Sequence, residues 1–577
     1  MTINAPLHYN LLLVGGSTSN LVLAHRLLDL AKNSGVPISI AIAEKAPQFG
    51  GHIVSGAVTK PHVLSKLFPE LDVQNVEEFP IEAVVTKSHM SVLGTSAKWD
   101  IPDYFVPQGF KKEGSIILTL SHVVRWLAEK LEAKARDIPH VTLDLFPGFA
   151  VHEILYEGDR VIGCRLSNTG VLSEDAIFAD YTCFGDKGFI SKDLVAKFNL
   201  RDTPQLWSVG VKELWQVEAD YAGQVWHTLG YPLLDGTFSG GFIYGLKDNR
   251  LAVGLILGLD SRNPNLNPQQ RLQEYKAHPW VQSLLKGGTL LKYGAAVIPE
   301  GGYYSLPKQF NVNGALLLGD ALGVLDVGSL SGVDKAMETG YIAGELLHTA
   351  FANQDFAVME QYKERVMQSF VGSALYTSRY FREAFLENSR LLEEYLPTVC
   401  SHVDKGHPWF GGLRLGLENP IQRSLDVLRA YSLVTGKTGE TKPVSYSECH
   451  TAIQADFSPK HGQPVRSAQT VPTFYSRPDA VFYASPRYVE QNQHIVEFRS
   501  DTCTACIERY EQLGRTTPCI SDCTAEVHHF HLKDGLKTHG MSLENCIQCR
   551  TCEIVCPEVN LRVNPSYEGS GPDFYGL

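Results

Sequence analysis

The chain of 577 residues, 44% hydrophobic and 20% charged, is long enough for two or three packed globular domains. Its formal net charge of −12 argues against a nucleic-acid partner, because nucleic-acid-binding proteins present a basic face to phosphates. It has no run of about eighteen apolar residues and no secretory signal pattern in residues 1–10, so we expect no membrane span and a cytoplasmic-type compartment.

The first predicted unit is a strand, a tight turn and a helix. Residues 9–14 are a short apolar run, residues 15–20 form a turn rich in glycine and serine, and apolar positions at helical spacing follow. This order is typical of a dinucleotide-binding unit. Residues 38–43 predict the next strand, and Glu44 closes it where an acidic residue would accept a ribose hydroxyl.

The turn departs from the G-x-G-x-x-G pattern of dinucleotide-binding proteins. Gly15 holds the first position, whereas Ser17 and Asn20 occupy the second and third. A Cβ at Ser17 lies where the backbone approaches a pyrophosphate, and Asn20 crowds the helix against its strand. Two interpretations remain open: a flavin site that includes Gly15, Gly16, Ser17 and Glu44, or a Rossmann-like unit that has lost its dinucleotide.

The middle of the chain is predicted to be rich in strands, at about 141–145, 151–156, 160–166 and 251–257, with a helix near 121–131 that Ser121 can cap. A further apolar strand ends in Gly319-Asp320, and a helix is predicted from about 333 to 347. In flavoproteins of the two-dinucleotide-binding type, an acid at this place meets the ribityl chain. Gly319 and Asp320 are therefore candidate flavin residues.

Eight cysteines near the end of the chain form two groups that mirror each other. The second group, followed by Pro557, has the C-x2-C-x2-C-x3-C-P pattern of bacterial ferredoxins, in which three thiolates bind one [4Fe–4S] cube and the fourth reaches another. The first group has the same pattern with a loop inserted before its third cysteine. The predicted ligand sets are Cys503, Cys506, Cys519 and Cys556 for one cube, and Cys523, Cys546, Cys549 and Cys552 for the other.

Other uses of these cysteines fit less well. Disulfides are disfavoured in a reducing compartment, and the four-cysteine run is tighter than zinc knuckles are. The nearby His528, His529 and His531 favour a partly exposed strand over a metal site.

Several blocks of sequence, in order along the chain, are shared with one protein family. They are Glu-Lys-Ala at 44–46, Gly-Gly-His at 50–52, Ser-Gly-Ala at 55–57, Val-Lys-Glu-Leu-Trp at 211–215, Gly-Tyr-Pro-Leu at 230–233, Asn-Cys-Ile-Gln-Cys-Arg-Thr-Cys at 545–552 and the segment 571–576. On these blocks the chain resembles the electron-transfer-flavoprotein:ubiquinone oxidoreductase family nearly end to end.

The resemblance implies an FAD domain, a quinone domain and a ferredoxin-like domain interleaved in one chain. It implies an FAD site that includes Gly15, Glu44, Ser55 and Asp320. It also implies a single cluster held by Cys523, Cys546, Cys549 and Cys552.

Three departures from the family pattern change this expectation. Cys556 and the first three cysteines of the added stretch indicate a second cube. Residues 183–188 replace the family's second flavin-contacting loop. Residues 411–428, which match an apolar membrane-dipping helix of the family, carry four charged residues, and only 104–107 keeps an apolar loop, so we expect membrane contact to be peripheral at most.

The expected fold class is α/β, mixed with α+β: a flavoprotein fold of the FAD-dependent, two-dinucleotide-binding type with a C-terminal ferredoxin-like two-cluster domain. The expected boundaries are 1–350 for the FAD-binding-type domain, interleaved with a strand-rich quinone- or substrate-type domain at about 90–300. A helical segment at 351–436, a surface connection at 437–497 and the cluster domain at 498–577 follow.

Two functions are consistent with these features. The first is an electron-transfer oxidoreductase in which FAD and two [4Fe–4S] clusters pass electrons from a soluble flavoprotein-type donor toward a quinone or another acceptor. The second is a flavin-less electron-wire or scaffold subunit of a larger redox complex. Both place the protein in the cytoplasm or at the inner face of a membrane, with a protein partner and no nucleic acid.

Overall fold

The computed structural model describes residues 7–577 except 168–174, 262, 264, 409–424, 427, 429–471, 490–493, 534 and 567–568. The strands are β1 (Leu7–Val14), β2 (Ile38–Glu44), β3 (Ala57–Thr59), β4 (Ala83–Val84), β5 (Lys87–Leu93), β6 (Lys98–Asp100), β7 (Ile116–Leu118), β8 (Val141–Pro147), β9 (Ala150–Glu157), β10 (Arg160–Ser167), β11 (Ala176–Phe184), β12 (Trp207–Gln216), β13 (Gln224–Gly230), β14 (Ser239–Leu246), β15 (Arg250–Gly258), β16 (Thr289–Pro299), β17 (Asn311–Val312), β18 (Ala315–Leu317), β19 (Ile495–Glu497), β20 (His528–Lys533), β21 (Leu536–Met541) and β22 (Leu561–Val563).

The described α-helices are α1 (Thr18–Ser34), α2 (His62–Leu67), α3 (Leu120–Arg136), α4 (Ser191–Lys197), α5 (Pro268–Ala277), α6 (Pro279–Leu285), α7 (Val333–Asn353), α8 (Tyr362–Gln368), α9 (Phe370–Thr377), α10 (Phe381–Glu387), α11 (Leu396–Asp404), α12 (Arg477–Ala484), α13 (Ser500–Gln512), α14 (Pro518–Ser521) and α15 (Thr551–Val555). Short 3-10 turns and one π-helical turn, Leu391–Tyr395, connect several of them.

The first sheet has a parallel centre with the strand order β17-β18-β11-β1-β2-β8, and β9 and β10 extend it from β11. β1 pairs in parallel with β11 on one side and β2 on the other, so that Val14 lies beside both Phe184 and Ala43. The apolar faces of these strands are buried beneath α1, α3 and α7 in one continuous core. The carboxyl ends of the central strands therefore share one edge.

Helices α1 and α7 pack closely because α7 presents two glycines to α1. A Cβ at Gly340 would lie 2.0 Å from the carbonyl oxygen of Ser19, and one at Gly344 would lie 2.8 Å from that of Leu23. No larger residue fits at these contacts without moving a helix. The close approach fixes the start of α7 at the edge of the first sheet.

The second sheet has the order β16-β12-β15-β14-β13-β5-β6 and is antiparallel except where β5 runs parallel to β13. It carries a buried ion pair: the Lys276 ammonium of α5 lies 2.8 Å from the Glu213 carboxylate of β12, and the Trp215 indole also donates to Glu213. Pairing and hydrogen bonds satisfy these buried charges. α5 is thereby held across the sheet.

The C-terminal segment packs against this second sheet. It contains the antiparallel pairs β19-β22 and β20-β21 and the helices α13, α14 and α15. Four of its cysteines, Cys523, Cys546, Cys552 and Cys556, are buried in the same apolar core as β12 to β16. The cysteine loops are therefore anchored to the rest of the protein.

Some elements differ from the sequence-based expectation. Thr119, not Ser121, precedes α3, and Ser121 is buried within its first turn, where its hydroxyl accepts a hydrogen bond from the amide of Gly576. Within the expected helical segment at 351–436, residues 356–396 form a series of short helices, and residues 411–428 lie almost entirely outside the described residues. Within the expected surface connection, α12 forms with Ser476 in a capping box.

Among the described residues, no helix combines the length and the apolar character that crossing a membrane requires.

Candidate functional site

The turns that follow β1, β2, β11 and β18 border a cavity of about 400 Å³. Turns after adjacent parallel strands converge at one sheet edge, where dinucleotides bind in this class of fold. The predicted flavin residues found on its wall are Gly15, Gly16, Ser17, Glu44, Ser55 and Asp320. Gly319 is not part of the described wall; it has a φ of +52° and donates its amide to the Thr339 hydroxyl at 3.1 Å.

The glycine turn keeps the conformation of a dinucleotide-binding unit. Gly15 has a φ of +92°, which favours glycine, and its amide donates to the Ala43 carbonyl at 2.8 Å. Ser17 is the N-cap of α1 and accepts a hydrogen bond from the Asn20 amide. The Asn20 side-chain amide donates to the Val14 and Gly15 carbonyls at 2.9 and 2.8 Å. Both replacements of glycine therefore support the turn.

The space that the two missing glycines would provide is supplied across the turn by Gly185. A Cβ at Gly185 would lie 2.5 Å from the Ser17 hydroxyl and 2.6 Å from the Asn20 amide nitrogen. The Gly185 amide also donates to the Val14 carbonyl at 3.0 Å. The sequence pattern, which compares only residues within the turn, could not reveal this compensation.

Glu44 and Ser55 are both on the wall and both hydrogen-bonded within the protein. The Glu44 carboxylate accepts from the Gly16 amide at 2.7 Å and the Ala46 amide at 2.8 Å, and burial raises its pKa against these two bonds. The Ser55 hydroxyl donates to the Leu577 carbonyl and accepts from the Leu120 amide, each at 3.1 Å. Glu44 thus lies against the glycine turn, where an adenosine ribose would meet it.

Three cations on the same wall were missed by the sequence analysis: Lys45, Lys187 and Arg550. Burial lowers the pKa of Lys187, and the Asp320 carboxylate opposes that shift. Burial also raises the pKa of Asp320, and Lys187 opposes it in turn. The three cations come from loops far apart in the chain. The sequence analysis placed Lys45 and Arg550 in blocks shared with the family and Lys187 in the replaced loop at 183–188, but none of these motifs indicated that the three line one cavity.

One predicted cysteine set is close together around Cys519. Burial raises the pKa of the Cys519 thiol, and the neighbouring Cys556, Cys506 and Cys503 raise it further, against a hydrogen bond with Thr517. The pKa values of Cys503 and Cys506 are raised by burial first and by Cys556 among their neighbours. These four thiols share one location although Cys556 is distant in sequence.

The other predicted set lies around Cys552. Burial is the main cause that raises the pKa of Cys552. The neighbouring Cys549, Cys546 and Cys523 raise it further, and Cys519 of the first set adds to the effect. Cys552 and Cys519 therefore lie where the two predicted sets adjoin, and the assignment of the sets to two clusters stays a prediction. None of the described cysteines forms a disulfide.

Hydrogen-bond donors surround the sulfur atoms. Asn560 donates its side-chain amide to Cys503 Sγ at 3.1 Å and its backbone amide to Cys556 Sγ at 3.2 Å. In the other set, the Val527 amide donates to Cys523 Sγ and the Gln548 amide to Cys546 Sγ, both at 3.3 Å. Such donors stabilise thiolate charge, as cluster ligation requires.

The loop that carries Cys549 forms part of the cavity wall. Residues 547–550 line the cavity opposite the glycine turn, together with residues 295–298 of β16. The Val297 amide donates to the Cys549 carbonyl at 3.1 Å, and the Lys45 ammonium donates to the Gln548 side chain at 2.8 Å. Cys549, one member of this cysteine set, and the dinucleotide-type turn therefore line the same cavity.

The histidines predicted to lie on a strand do so, in β20. His528 and His539 share a hydrogen bond of 2.9 Å, and His539 contacts the Glu497 carboxylate at 2.6 Å. The ligand atoms of Cys519, His528 and His539 lie within 4.8 Å of one another, as those of Glu497, Cys503 and His539 do. These side chains therefore lie beside the set around Cys519.

An apolar group connects the cavity wall with an exposed loop. Its members are Phe110, Val327 and Phe381, packed with Met90, Val106, Phe238, Leu325 and Phe385. Leu325 also lines the cavity. At the other end, just before Val106, Tyr104 is 90% and Phe105 50% exposed. This group adjoins the second sheet.

Comparison with known proteins identifies the second sheet. Residues 207–298, which contain β12 to β16 apart from the last residue of β16, match a family model described as "ETF-QO, ubiquinone-binding". Two solved structures show the fold alone. They are a geranylgeranyl bacteriochlorophyll reductase-like protein from Thermoplasma acidophilum, 13% identical over 74% of this chain and 98% of that chain with a TM-score of 0.53, and the flavin-dependent monooxygenase PieE, 12% identical over 76% of each chain with a TM-score of 0.50. The fold is the mixed α/β fold of FAD-dependent flavoproteins, as predicted.

Relatives align along nearly the whole chain. The mitochondrial electron transfer flavoprotein-ubiquinone oxidoreductase of Dictyostelium discoideum is 33% identical over 98% of this chain and 90% of its own length. The probable enzyme of Schizosaccharomyces pombe is 30% identical over 97% and 85%, and that of Pseudomonas aeruginosa is 29% identical over 98% of each. The resemblance seen in the sequence is confirmed, and the chain belongs to the electron transfer flavoprotein-ubiquinone oxidoreductase family.

Proposed function

We propose that this protein takes electrons from an electron transfer flavoprotein and passes them to a ubiquinone-type quinone, with FAD in the cavity and two [4Fe–4S] clusters in the C-terminal segment. The observation that carries the proposal is that Cys549 and the glycine turn line one cavity. When bound, a flavin supplies the exchange between two-electron and one-electron chemistry, and iron–sulfur clusters transfer single electrons.

The residues present fit FAD. The Gly15 turn, with the Ser17 and Asn20 side chains accommodated against Gly185, would receive a pyrophosphate at the start of α1, and Glu44 would meet an adenosine ribose. Asp320 lies where the ribityl chain would pass. His52 and Asp186 on the wall each have a buried polar atom without a hydrogen-bond partner among the described residues, which a bound ligand could satisfy.

The cysteine sets fit two cubes. Cys523, Cys546, Cys549 and Cys552 would hold the cluster next to the cavity, and Cys503, Cys506, Cys519 and Cys556 would hold the added one. The amide donors to sulfur, from Asn560 and its counterparts, orient the ligands and favour the reduced, more negative cluster. The protein's task is to hold the two sets adjacent.

The quinone would enter along the apolar group that ends at Leu325. Its headgroup needs a largely apolar pocket near the electron source, and the isoprenoid tail needs a path to lipid. The exposed Tyr104 and Phe105 at the far end of this group favour peripheral contact with a membrane surface. The match of residues 207–298 to the ubiquinone-binding model supports the same location.

We place the domains at the boundaries expected from the sequence: 1–350 with the quinone-type part at about 90–300, then 351–436, 437–497 and 498–577. The two large sheets support the interleaving of the first two, since β5 and β6 of the second sheet precede β8 to β11 of the first in the chain. The alternative of a flavin-less wire subunit is supported less well, because Ser17 and Asn20, which suggested a lost site, stabilise the turn.

A steady-state assay tests the proposal. The purified protein is mixed with a reduced electron transfer flavoprotein and a short-chain ubiquinone, and we expect quinone reduction that depends on both. Cys552→Ser should lower the rate by more than tenfold, whereas Cys164→Ser, at a buried free cysteine of β10, serves as a matched control. The proposed function would be refuted if neither the wild type nor the control variant reduced the quinone.

A further inference from the structure

The wall of the cavity gathers three cations from distant loops: Lys45 after β2, Lys187 after β11 and Arg550 beside Cys549. They lie within electrostatic reach of one another. Burial lowers the pKa of Lys45 to about 8, and Arg550 and Lys187 add to that effect against the attraction of Glu44. Like charges on one cavity wall repel, and an anion bound between them would reduce that repulsion.

Lys187 is the cation with the fewest contacts. Within the part of the chain that the structure describes, its ammonium makes neither a hydrogen bond nor an ion pair, although Asp320 attracts it at longer range. Lys187 is half-buried, so its ammonium is only partly desolvated and has room for a ligand as its direct partner. Its position on the cavity wall points to that ligand.

Carboxylates oppose part of this charge: Glu44 attracts Lys45, and Asp320 attracts Lys187 at longer range. Two acids of the wall, Glu44 and Asp186, are also engaged with backbone amides. Glu44 is directed onto the Gly16 and Ala46 amides. Asp186 is directed onto the Ile190 amide at 2.8 Å and the Ser191 amide at 3.3 Å. On the described wall, Lys187 is the charged neighbour that most affects the pKa of Asp320.

Arg550 is held toward the cavity in an unfavourable backbone conformation. Its φ is +66°, and that of Gln548 two residues earlier is +54°, both in the left-handed region that non-glycine residues rarely adopt. The guanidinium lies 4.0 Å from the centre of the Phe189 ring and 3.1 Å from the Glu553 carboxylate. Strain of this kind persists at sites where the side chain has a task.

These cations line the same cavity as the turn in which two glycines are missing. Lys187 follows Gly185, whose amide bonds to Val14 at the end of β1 and whose missing Cβ makes room for Ser17 and Asn20. In a dinucleotide-binding unit this is the place of the pyrophosphate. A cofactor anchored here would meet side-chain charge in addition to the backbone amides of α1.

We propose that Lys187, with Arg550 and Lys45, forms a cationic clamp for the pyrophosphate of the bound dinucleotide, in place of the glycines that the turn lacks. This inference rests on the proposed function, since it takes the dinucleotide to be FAD. The clamp also joins the two cofactor sites, because Arg550 and the Lys45 partner Gln548 belong to the loop of Cys549. FAD is therefore preferred over flavins without a pyrophosphate.

Binding titrations of the flavin-depleted protein with FAD, riboflavin and ADP test the clamp. Lys187→Met should weaken FAD and ADP by about 10- to 100-fold, the loss typical of a buried charge-assisted hydrogen bond, and leave riboflavin binding unchanged. Lys187→Arg should keep most of the FAD affinity. Lys308→Met, at an exposed lysine that pairs with Asp202, is the matched control and should bind like the wild type.

Further measurements keep the outcome unambiguous. The affinity of the wild type for FAD should fall with added salt more steeply than its affinity for riboflavin. This comparison does not depend on the folding of a variant. Equal loss of FAD and riboflavin in Lys187→Met, or FAD affinity within about twofold of wild type, would refute the clamp. If the wild type binds riboflavin and FAD equally and without salt dependence, the clamp is wrong while the proposed function stands; if it takes up no flavin, the proposed function falls too.

Discussion

At the scale of single residues, the flavin-type turn at residues 15–20 keeps the geometry of a dinucleotide-binding turn although two of its three motif glycines are replaced. Ser17 caps α1, Asn20 ties the end of β1 to the turn, and Gly185 across the sheet lacks the Cβ that would collide with both. The three positions act together, because a side chain added at one of them needs space at another.

The first prediction concerns Gly185→Ala. Its Cβ would meet Ser17 at 2.5 Å and Asn20 at 2.6 Å, so we expect destabilisation by about 1–3 kcal/mol and a protein purified with less flavin. Flavin per chain and the midpoint of thermal unfolding measure the two effects. The double variant Ser17→Gly, Gly185→Ala should regain part of both, and a single variant with full flavin content would contradict the compensation.

The second prediction concerns the crossed cysteine sets. In a two-cube domain the fourth cysteine of each run serves the other cube, so Cys556→Ala should damage the cube of Cys503, Cys506 and Cys519 and spare the one beside the cavity. Cys523→Ala should do the reverse. Electron paramagnetic resonance of the reduced variants distinguishes the cubes, and loss of the cavity-side signal in Cys556→Ala would show that the sets are assigned wrongly.

At the scale of elements, buried histidines connect helices and make stability depend on pH. His25 of α1 is fully buried and its Nε2 contacts the Leu127 carbonyl of α3 at 2.9 Å. Burial, and then Lys134, lower its pKa from 6.5 to about 3. Because the folded pKa lies below the unfolded one, the unfolded chain binds the proton first as the pH falls.

The third prediction follows from that sign. Between pH 6.5 and 3, His25 should cost stability progressively, about 2 kcal/mol at pH 5. The thermal midpoint of His25→Gln should therefore fall less between pH 7 and pH 5 than that of the wild type. His227 and His528, whose pKa burial also lowers to about 3, keep part of the dependence in the variant. An unchanged pH dependence in His25→Gln would contradict this account.

The sequence predicted elements where local chemistry decides them. The strand-turn-helix order of β1 and α1, the strand before Asp320 and the strand position of His528 follow from apolar periodicity and turn residues. Ser121 was misassigned as a cap because several hydroxyl residues near a helix start satisfy the same rule, and burial of Ser121 against Gly576 decided against it. The broken helices of residues 356–396 depend on tertiary packing, which periodicity does not report.

At the scale of the whole molecule, the cofactor-type sites lie where separate parts of the chain meet. The spacing of eight cysteines predicts two ligand sets, because ligand spacing is a local property, and this assignment stays a prediction. Lys187 and Arg550, by contrast, are 363 residues apart and converge only through packing of the C-terminal segment on the second sheet. No pattern within either loop could have indicated that they line one cavity.

The sharing of one core by the cysteine loops and the second sheet has a consequence for cofactor loss. Residues 547–550 are held both by β16, through Val297, and by Lys45, which follows β2 on the cavity wall. Disorder of the cavity-side cysteine set should therefore loosen flavin as well. Gln548→Ala, which removes the Lys45 contact and leaves every cysteine, should lower flavin content while iron content is retained, and measured flavin equal to wild type would show that the two sites are independent.

The most direct test of the account is the cofactor content of the purified protein. Iron, acid-labile sulfide and flavin are assayed on the same sample, together with its absorption spectrum. Eight thiolates in two sets and one dinucleotide cavity predict about eight iron and eight sulfide atoms and one FAD per chain, with flavin bands above the broad cluster absorption. About four iron atoms would refute the two-cluster assignment, and a spectrum of clusters alone would refute the flavin site and leave the electron-wire alternative.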